Sequence, residues 1–328
     1  MLLKRSSMPP PPVPVILGCG TFGGIGGARH LIGKGLDATA AAATMDEAAA
    51  LGIDLWDTAG RYAGGASEEL IGAWLCNRPP MLTERIRIAT KVAPASLAGD
   101  RETLFDEKYI EARLEASLSR LRRHRVALFL AHAPCEVTPI EMVVEAFAAV
   151  LESGRAERVG CCNIGPEGLT AALDAAERLG VRGFDWVQNG FSLLSPGADR
   201  ELRAICRERH VAYSPYSPLA GGILAGRYRR GEPYPPDSRM ALRPDGQTLS
   251  GQTHDALDAL RSVAGGMGAS CAAVALAWIL GHPDCASPVV GPSRSAPHLA
   301  HISEALAVDL SDGDRAQLER AFAAVPAD

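Results

Sequence analysis

Short apolar segments alternate along the chain with longer segments whose apolar residues recur every three to four positions. The short segments are typical of buried strands, and the longer ones are typical of helices that bury one face. The predicted strands lie at residues 14–18, 53–56, 86–90, 126–131, 158–162, 186–188, 211–214 and 288–290. The predicted helices lie at residues 37–51, 67–76, 108–122, 139–152, 166–179, 199–209, 255–265, 271–280, 296–307 and 312–323. Asp37 is predicted to be the N-cap of the first helix and Ser67 that of the second.

The regular alternation of strand and helix predicts how the strands are arranged. Strands joined through helices pair in parallel, and a series of this length in 328 residues favours a closed (β/α)8 TIM barrel over an open doubly wound sheet. No change in composition marks a second domain, so we predict one barrel domain at residues 13–328 after a flexible Pro-rich tail at residues 1–12. A long stretch rich in Gly, Pro and Arg, at residues 215–253, is predicted to cover the rim of the barrel.

A glycine motif after the first strand suggests a different fold. The sequence Gly18-Cys-Gly-Thr-Phe-Gly23 matches the G-x-G-x-x-G pattern of dinucleotide-binding Rossmann domains. That pattern also requires a helix to begin at the third glycine, whereas here the chain continues as Gly-Ile-Gly-Gly. The glycines therefore favour a loop that lets the backbone approach a ligand at the barrel mouth.

The second, third and fourth predicted strands each end in a different ionisable residue. Asp57 follows the second strand, and Tyr62 comes five residues later. Lys91 follows the third strand, and His132 follows the fourth. Because the carboxyl ends of parallel strands meet at one rim of a barrel, we expect these four side chains to share a site. A lysine beside a tyrosine can lower the pKa of the phenol, which indicates acid/base chemistry on a carbonyl or an alcohol.

Composition and charge exclude several classes of protein. Apolar residues make up 47% of the chain, which is enough for a large core, and the net charge of −5 argues against a nucleic-acid-binding protein. No segment is long and apolar enough to predict a membrane span or a signal peptide. The eight cysteines form no Cys-x-x-Cys pair and lie mostly in apolar contexts, so we expect a cytoplasmic protein without a metal site.

The motifs at the strand ends resemble those of the aldo-keto reductase superfamily, in the same order and over nearly the whole chain. They are Asp57-Thr-Ala with Tyr62 and Ser67-Glu68, Ala-Thr-Lys91, Leu-Ala-His132, Cys162-Asn163, Val-Gln188-Asn, Tyr-Ser-Pro-Tyr216-Ser217-Pro-Leu219, and Gly291-Pro-Ser293-Arg294. The resemblance implies an oxidoreductase that transfers a hydride between a nicotinamide and a carbonyl or alcohol substrate, such as an aldehyde, a ketone or a sugar-like alcohol.

The same resemblance implies a role for each catalytic residue. Tyr62 would be the general acid in carbonyl reduction and the general base in alcohol oxidation. Lys91 would favour the phenolate, Asp57 would pair with Lys91, and His132 would orient the substrate oxygen. The hydride would come from the cofactor, because side chains cannot supply one.

The family pattern also implies where the cofactor binds. Asn163 and Gln188 would hold the carboxamide of the nicotinamide, and Tyr216 would stack on its ring. The remaining candidates would contact the pyrophosphate and the adenosine 2′-phosphate; they are Ser217, Leu219, Gly291, Ser293 and Arg294. An arginine at the 2′-phosphate favours NADP(H), although NAD(H) stays possible because His301-Ile302 stands where the family often has a Glu-Asn pair.

The substrate and two alternative functions remain open at this point. Phe22, Ile25 and Trp56 are candidates for the wall of the substrate pocket, although Trp56 could instead face the helices, since strand neighbours alternate. One alternative is an NAD-linked alcohol or sugar dehydrogenase. The other is a regulatory subunit of the same fold that binds the cofactor with little turnover. The sequence predicts no oligomeric state.

Overall fold

The predicted barrel is confirmed. The computed structural model describes residues 14–98, 103–236, 238, 240–241, 248–294 and 296–325, so the predicted tail at residues 1–12 lies outside the described residues. The strands form a closed barrel in sequence order, and every neighbouring pair is parallel. They are β1 Ile16–Gly18, β2 Leu55–Asp57, β3 Arg87–Val92, β4 Val126–Ala131, β5 Ala156–Cys162, β6 Trp186–Gly190, β7 Ala212–Tyr216 and β8 Val289–Val290.

Helices surround the barrel and follow its strands along the chain. They are α1 Ala38–Ala50, α2 Ala66–Cys76, α3 Pro80–Thr83, α4 Glu107–Leu121, α5 Ile140–Glu152, α6 Pro166–Leu179, α7 Arg200–Glu208, α8 Gly251–Met267, α9 Cys271–Leu280, α10 Ala300–Ala305 and α11 Asp312–Ala323. α10 and α11 follow β8 and are the predicted extra helices at the carboxyl end. The expectation of a single domain over residues 13–328 stays a prediction.

The core has two layers, because successive residues of a strand point to opposite faces. A small cluster fills the barrel and includes Leu55, Ala89 and Leu130. A larger cluster lies between strands and helices and includes Trp56 and Phe129. The alternation decides which strand-end residues can reach the inside of the barrel.

The loop after β1 confirms that the glycine motif is not a Rossmann fingerprint. α1 begins only at Ala38, with Asp37 as its predicted N-cap, whose side chain accepts a hydrogen bond of 2.9 Å from the backbone N–H of Ala40. The intervening residues form a loop with one short 3-10 turn at Arg29–Leu31. Gly23 and Gly26 have positive φ angles, which glycine adopts without strain.

Several helix boundaries differ from the prediction: α10 begins at Ala300 rather than at residue 296, and the starts of α2 and α8 differ for identifiable reasons. Ser67 does not cap α2: the helix begins at Ala66, and the Ser67 hydroxyl is hydrogen-bonded to the carbonyl of Cys19 and to the hydroxyl of Thr58. α8 begins at Gly251 rather than Asp255, because the side chain of Ser250 caps it by accepting from the N–H of Thr253. The loop after β7 is correspondingly shorter.

Among the described residues, no single helix is long and apolar enough to cross a membrane. Only α8 and α9 together reach that length and composition, and they are bent by 92° at the break between them. The apolar residues of α9 are packed in the larger core cluster, so its composition fits a buried core helix.

Candidate active site

The ends of β2, β3 and β4 bring three of the predicted site residues to one rim. Asp57, Lys91 and His132 continue the inward-facing rows of Leu55, Ala89 and Leu130, two residues farther along each strand. Asp57 and Lys91 are almost fully buried, and His132 is 8% exposed. The barrel therefore places a cation, an anion and an imidazole together below its mouth.

Tyr62 joins this group from the short turn Tyr62–Gly65 after β2. The ammonium of Lys91 lies 3.2 Å from the Tyr62 hydroxyl, 2.5 Å from Oδ1 of Asp57 and 3.0 Å from the carbonyl oxygen of Thr58. It also lies 4.9 Å from the centre of the Tyr62 ring. All three N–H donors of Lys91 have an oxygen acceptor, so the ammonium is fixed in place.

Burial and charge act in opposite directions on the ionisation of this pair. Burial raises the pKa of Tyr62 to about 12, although the positive charge of Lys91 lowers it. The expectation that Lys91 lowers the pKa is therefore right for its own contribution, but burial outweighs it. Burial lowers the pKa of Lys91, but the attraction of Asp57 and Tyr62 is greater, so the net shift is upward. In this state the lysine is charged and the tyrosine carries its proton.

His132 completes the group as a neutral imidazole. Its ring lies edge-on to the Tyr62 ring, with 5.4 Å between the ring centres. Burial and the nearby charges of Lys91 and Arg61 hold the pKa of His132 well below its ordinary value. The buried Nδ1 atom has no hydrogen-bond partner among the described residues. A neutral imidazole with an unused nitrogen at the barrel mouth can bind a polar ligand group.

Gln188 lies deeper than its predicted role requires. Its side-chain N–H donates a 3.0 Å hydrogen bond to Oδ2 of Asp57, and its Oε1 lies 3.8 Å from the Cys162 sulfur. Only 2% of Gln188 is exposed. One of the two side-chain N–H groups of Gln188 therefore supports Asp57 in this structure, and a carboxamide contact would use the second N–H group or Oε1.

Asn163 and Tyr216 are hydrogen-bonded to each other at the ends of β5 and β7. The Tyr216 hydroxyl donates to Oδ1 of Asn163 at 2.6 Å, and Nδ2 of Asn163 donates to the carbonyl oxygen of His132 at 2.8 Å. Asn163 has a φ of 56°, in the left-handed region that asparagine tolerates better than most residues. These contacts orient Asn163 beside His132, where a ligand amide could replace the Tyr216 hydroxyl.

The other predicted cofactor residues lie at the ends of β7 and β8. Ser217, Gly291, Ser293 and Arg294 are exposed, and Leu219 is partly buried against the larger core cluster. A Cβ on Gly291 would meet no atom closer than 4.0 Å, so the space above β8 is open. Exposed hydroxyls and a guanidinium beside open space fit the pyrophosphate and 2′-phosphate of a dinucleotide.

Of the three residues predicted for the pocket wall, Trp56 and Phe22 are fully buried, and Ile25 stays a prediction. Trp56 faces the helices: it is fully buried, its ring centre lies 4.9 Å from that of Trp74, and its N–H donates to the carbonyl of Ile53. Phe22 is also fully buried in the outer cluster. Neither therefore lines a pocket in this structure. Ile25, in the loop after β1, is 6% exposed and belongs to neither cluster.

Arg61 is a rim residue that the sequence analysis missed. It directly precedes Tyr62, and its Nη2 donates to the carbonyl of Leu97 at 3.1 Å. A Cβ on Gly27 would lie 2.5 Å from Nε of Arg61, so the guanidinium lies against the loop after β1. The sequence contained a signal for it, because Arg61 is a cation directly next to Tyr62, the predicted general acid.

Glu68, from the Ser67-Glu68 motif, connects β3 to the surrounding helices. Glu68 is fully buried; its carboxylate accepts from the hydroxyl of Thr90 at 2.5 Å and from Nε of Arg120 at 2.7 Å. Thr90 precedes Lys91 on β3, so one carboxylate connects α2, α4 and β3. Nowhere in the described part of the chain do three His, Cys, Asp or Glu side chains come close enough to hold a metal ion.

Sequence comparison with known proteins shows which family the chain belongs to. Residues 14–322 match the sequence model of the Aldo/keto reductase family. The chain belongs to this family. The chain is also similar in sequence to an uncharacterized oxidoreductase, YrpG, of Bacillus subtilis, which is 30% identical over 81% of this chain and 82% of that protein.

Two further relatives differ in their names. A probable voltage-gated potassium channel subunit beta of Oryza sativa is 28% identical over 82% of each chain. The aldo-keto reductase yakc [NADP(+)] of Schizosaccharomyces pombe is 26% identical over 85% of this chain and 81% of that protein. The family membership supports an oxidoreductase acting on small molecules.

Proposed function

We propose that the protein is an NADP(H)-dependent reductase of aldehydes or ketones in which Tyr62 is the general acid, and general base in the reverse direction. The observation that carries the proposal is the hydrogen bond of the Tyr62 hydroxyl to an ammonium that Asp57 holds in place. The phenol is protonated at neutral pH and lies beside His132, a neutral imidazole. Such a pair can bind and protonate a carbonyl oxygen.

The bound nicotinamide would supply the hydride, because side chains have none to give. His132 would donate a hydrogen bond to the substrate oxygen and orient it toward Tyr62. Tyr62 would then transfer its proton to that oxygen as charge develops there, and Lys91 would stabilise the phenolate that remains. Asp57 would keep Lys91 charged, and solvent would reprotonate Tyr62 after the alcohol leaves.

For the cofactor, we propose that Asn163 and Tyr216 bind the nicotinamide end and that Ser217, Leu219 and Gly291 line the pyrophosphate. Ser293 and Arg294 would bind the 2′-phosphate. The exposed guanidinium of Arg294 and the NADP(+) in the name of the fission-yeast relative both favour NADP(H) over NAD(H). A cytoplasmic location remains a prediction from the cysteine pattern.

Isothermal titration calorimetry with NADPH and NADH tests the cofactor. We expect Arg294→Ala to weaken NADPH binding by about tenfold or more and to leave NADH binding unchanged, because only NADPH carries the 2′-phosphate. Arg125→Ala is the matched control, since Arg125 is exposed and directly precedes β4, at the opposite end of the barrel. Equal loss of both nucleotides, or tighter binding of NADH by the wild type, would support the NAD-linked dehydrogenase instead.

The regulatory-subunit alternative is favoured by one observation, the name of the rice relative. The two hypotheses differ in turnover, because a redox-reporting subunit needs to bind the cofactor but does not need a proton donor. The intact hydrogen bonds between Tyr62, Lys91 and Asp57 favour the enzyme. Tight NADPH binding without oxidation of NADPH by any of a panel of aldehydes would support the alternative.

A further inference from the structure

Arg61 brings together three loops at the mouth of the proposed active site. It lies in the loop after β2, its guanidinium rests against Gly27 in the loop after β1, and it donates to Leu97 in the loop after β3. The side chain remains partly exposed. Its neighbour in sequence is Tyr62, and its positive charge acts on His132. The guanidinium therefore lies at the entrance to the two groups that would bind the substrate oxygen.

The charges of the described residues around this entrance do not cancel. Lys91 is neutralised by Asp57 at 2.5 Å, and His132 is uncharged. Arg61 makes no ion pair with any carboxylate of the described residues, whereas other arginines beside the barrel strands do, such as Arg87 with Asp54 at 2.7 Å. Among the described residues, one positive charge is thus left without a counter-charge at the mouth, and it would attract an anion in a partly enclosed setting.

The hydrogen bonds of Arg61 are also incomplete. A guanidinium has five N–H donors, and the one bond that Arg61 makes to a described residue uses Nη2. The Nε atom is buried and has no acceptor among the described residues. If Arg61 only connected the loops, we would expect acceptors within the protein for these N–H donors, because an unpaired buried donor costs stability. A planar group with spare donors is suited to a carboxylate or a phosphate.

We propose that the carbonyl substrate carries an anionic group, a carboxylate or a phosphate, that pairs with the guanidinium of Arg61 while the carbonyl oxygen lies between Tyr62 and His132. This inference rests on the proposed reductase function and adds the substrate class to it. Lys91 cannot serve the same purpose, because its three donors are already used and it is almost fully buried.

Steady-state reduction of 4-carboxybenzaldehyde and of the neutral 4-nitrobenzaldehyde by NADPH tests the inference. We expect Arg61→Gln to raise KM for the carboxylate by about tenfold or more and to change KM for the neutral aldehyde by less than about twofold. Arg61→Lys, which keeps the charge, should retain part of the selectivity. Arg125→Gln removes the same charge at the other end of the barrel and should change neither KM.

The wild type gives an independent result that needs no variant. Raising the salt concentration from roughly 0.05 M to roughly 0.5 M should raise KM only for the carboxylate, since screening weakens the attraction of opposite charges. If both aldehydes are reduced and Arg61→Gln changes the two KM values alike, the inference is wrong and the proposed function stands. If NADPH binds but neither aldehyde is reduced, the proposed function is wrong and this inference with it.

Discussion

The ammonium of Lys91 contacts two acidic groups, the carboxylate of Asp57 and the phenol of Tyr62. Asp57 compensates its charge, and the Tyr62 hydroxyl occupies a second donor. The same burial that raises the pKa of Tyr62 also makes the ion pair costly to break, because a lone buried charge has no water to solvate it. The proposed proton transfer and the local stability therefore depend on the same three residues.

Tyr62→Phe removes the proposed proton donor without changing the shape of the ring. We expect kcat for carbonyl reduction to fall by about 10²–10⁴-fold, the usual contribution of a general acid. NADPH affinity should stay within about twofold of the wild type, because the hydroxyl is bonded to Lys91 and not to the residues proposed for the cofactor. Calorimetry and initial rates on the same sample check both expectations, and retained turnover would exclude Tyr62 as the acid.

The pKa of Tyr62 predicts different pH profiles for the two directions. Reduction needs the protonated phenol, which is present throughout the range below the pKa of about 12, so its kcat should be flat from about pH 6 to 9. Oxidation needs the phenolate, so its rate should rise by about tenfold per pH unit until another step limits it. Stopped-flow rates of NADPH formation and consumption measure the two profiles. A reduction rate that falls across this range would contradict the expectation.

Lys91→Met would leave Asp57 as a buried carboxylate without its cation. Breaking a buried ion pair costs about 3–5 kcal/mol, so we expect a loss of that order in the free energy of unfolding at pH 7. The double variant Asp57→Asn with Lys91→Met has no unpaired charge and should recover much of the loss. Urea unfolding followed by circular dichroism compares the three proteins, and equal losses in the single and double variants would show that the charge is not the cause.

At the scale of elements, strand β3 is held in position by its contacts with α2 and α4. Glu68 on α2 reaches Thr90 on β3 and Arg120 on α4, so the strand end that carries Lys91 cannot shift independently of both helices. The helices can approach because Gly72 of α2 has no side chain at the crossing. A Cβ there would overlap the backbone oxygen of Arg120.

Gly72→Ala therefore tests how closely α2 and α4 pack. We expect it to destabilise the protein by about 1–3 kcal/mol, since backbone cannot move as a side-chain tip can. Gly265→Ala is the matched control: Gly265 lies in α8, and a Cβ there would meet nothing within 4 Å. That substitution should stabilise the protein by about 0.5–1 kcal/mol through helix propensity. Thermal unfolding of both variants checks the signs, and equal effects would contradict the close contact.

The sequence predicts a helix start well where residues close in sequence determine the cap. It predicts the start poorly where the capping side chain has a hydrogen-bond partner far away in sequence. Asp37 caps α1 as expected, because its acceptor and the N–H of Ala40 are three residues apart. Ser67 looks like a cap by the same rule, but its hydroxyl bonds to Cys19 and Thr58, which only the folded barrel brings near. Local rules cannot identify such a competing partner.

At the scale of the whole molecule, the closed barrel turns strand ends that are far apart in sequence into one site. The alternation of strands and helices was enough to predict the fold, and the strand ends were enough to predict the meeting of Asp57, Lys91 and His132. The bond between Gln188 and Asp57, which spans 131 residues, was not predictable, because its geometry depends on barrel closure. The orientation of Trp56 depends in turn on the register of β2, where Leu55 and Asp57 face inward.

The most direct test is whether a deuterium label on NADPH is transferred to the substrate in a single turnover. The protein is mixed with NADPH deuterated at the transferring position and with 4-carboxybenzaldehyde, and the alcohol is examined by mass spectrometry in wild type and Tyr62→Phe. We predict one deuterium in the wild-type product and almost no product in the variant, because the hydride needs a proton partner at the oxygen. Wild-type protein that binds NADPH and yields no deuterated alcohol from this or any other aldehyde tested would contradict the account.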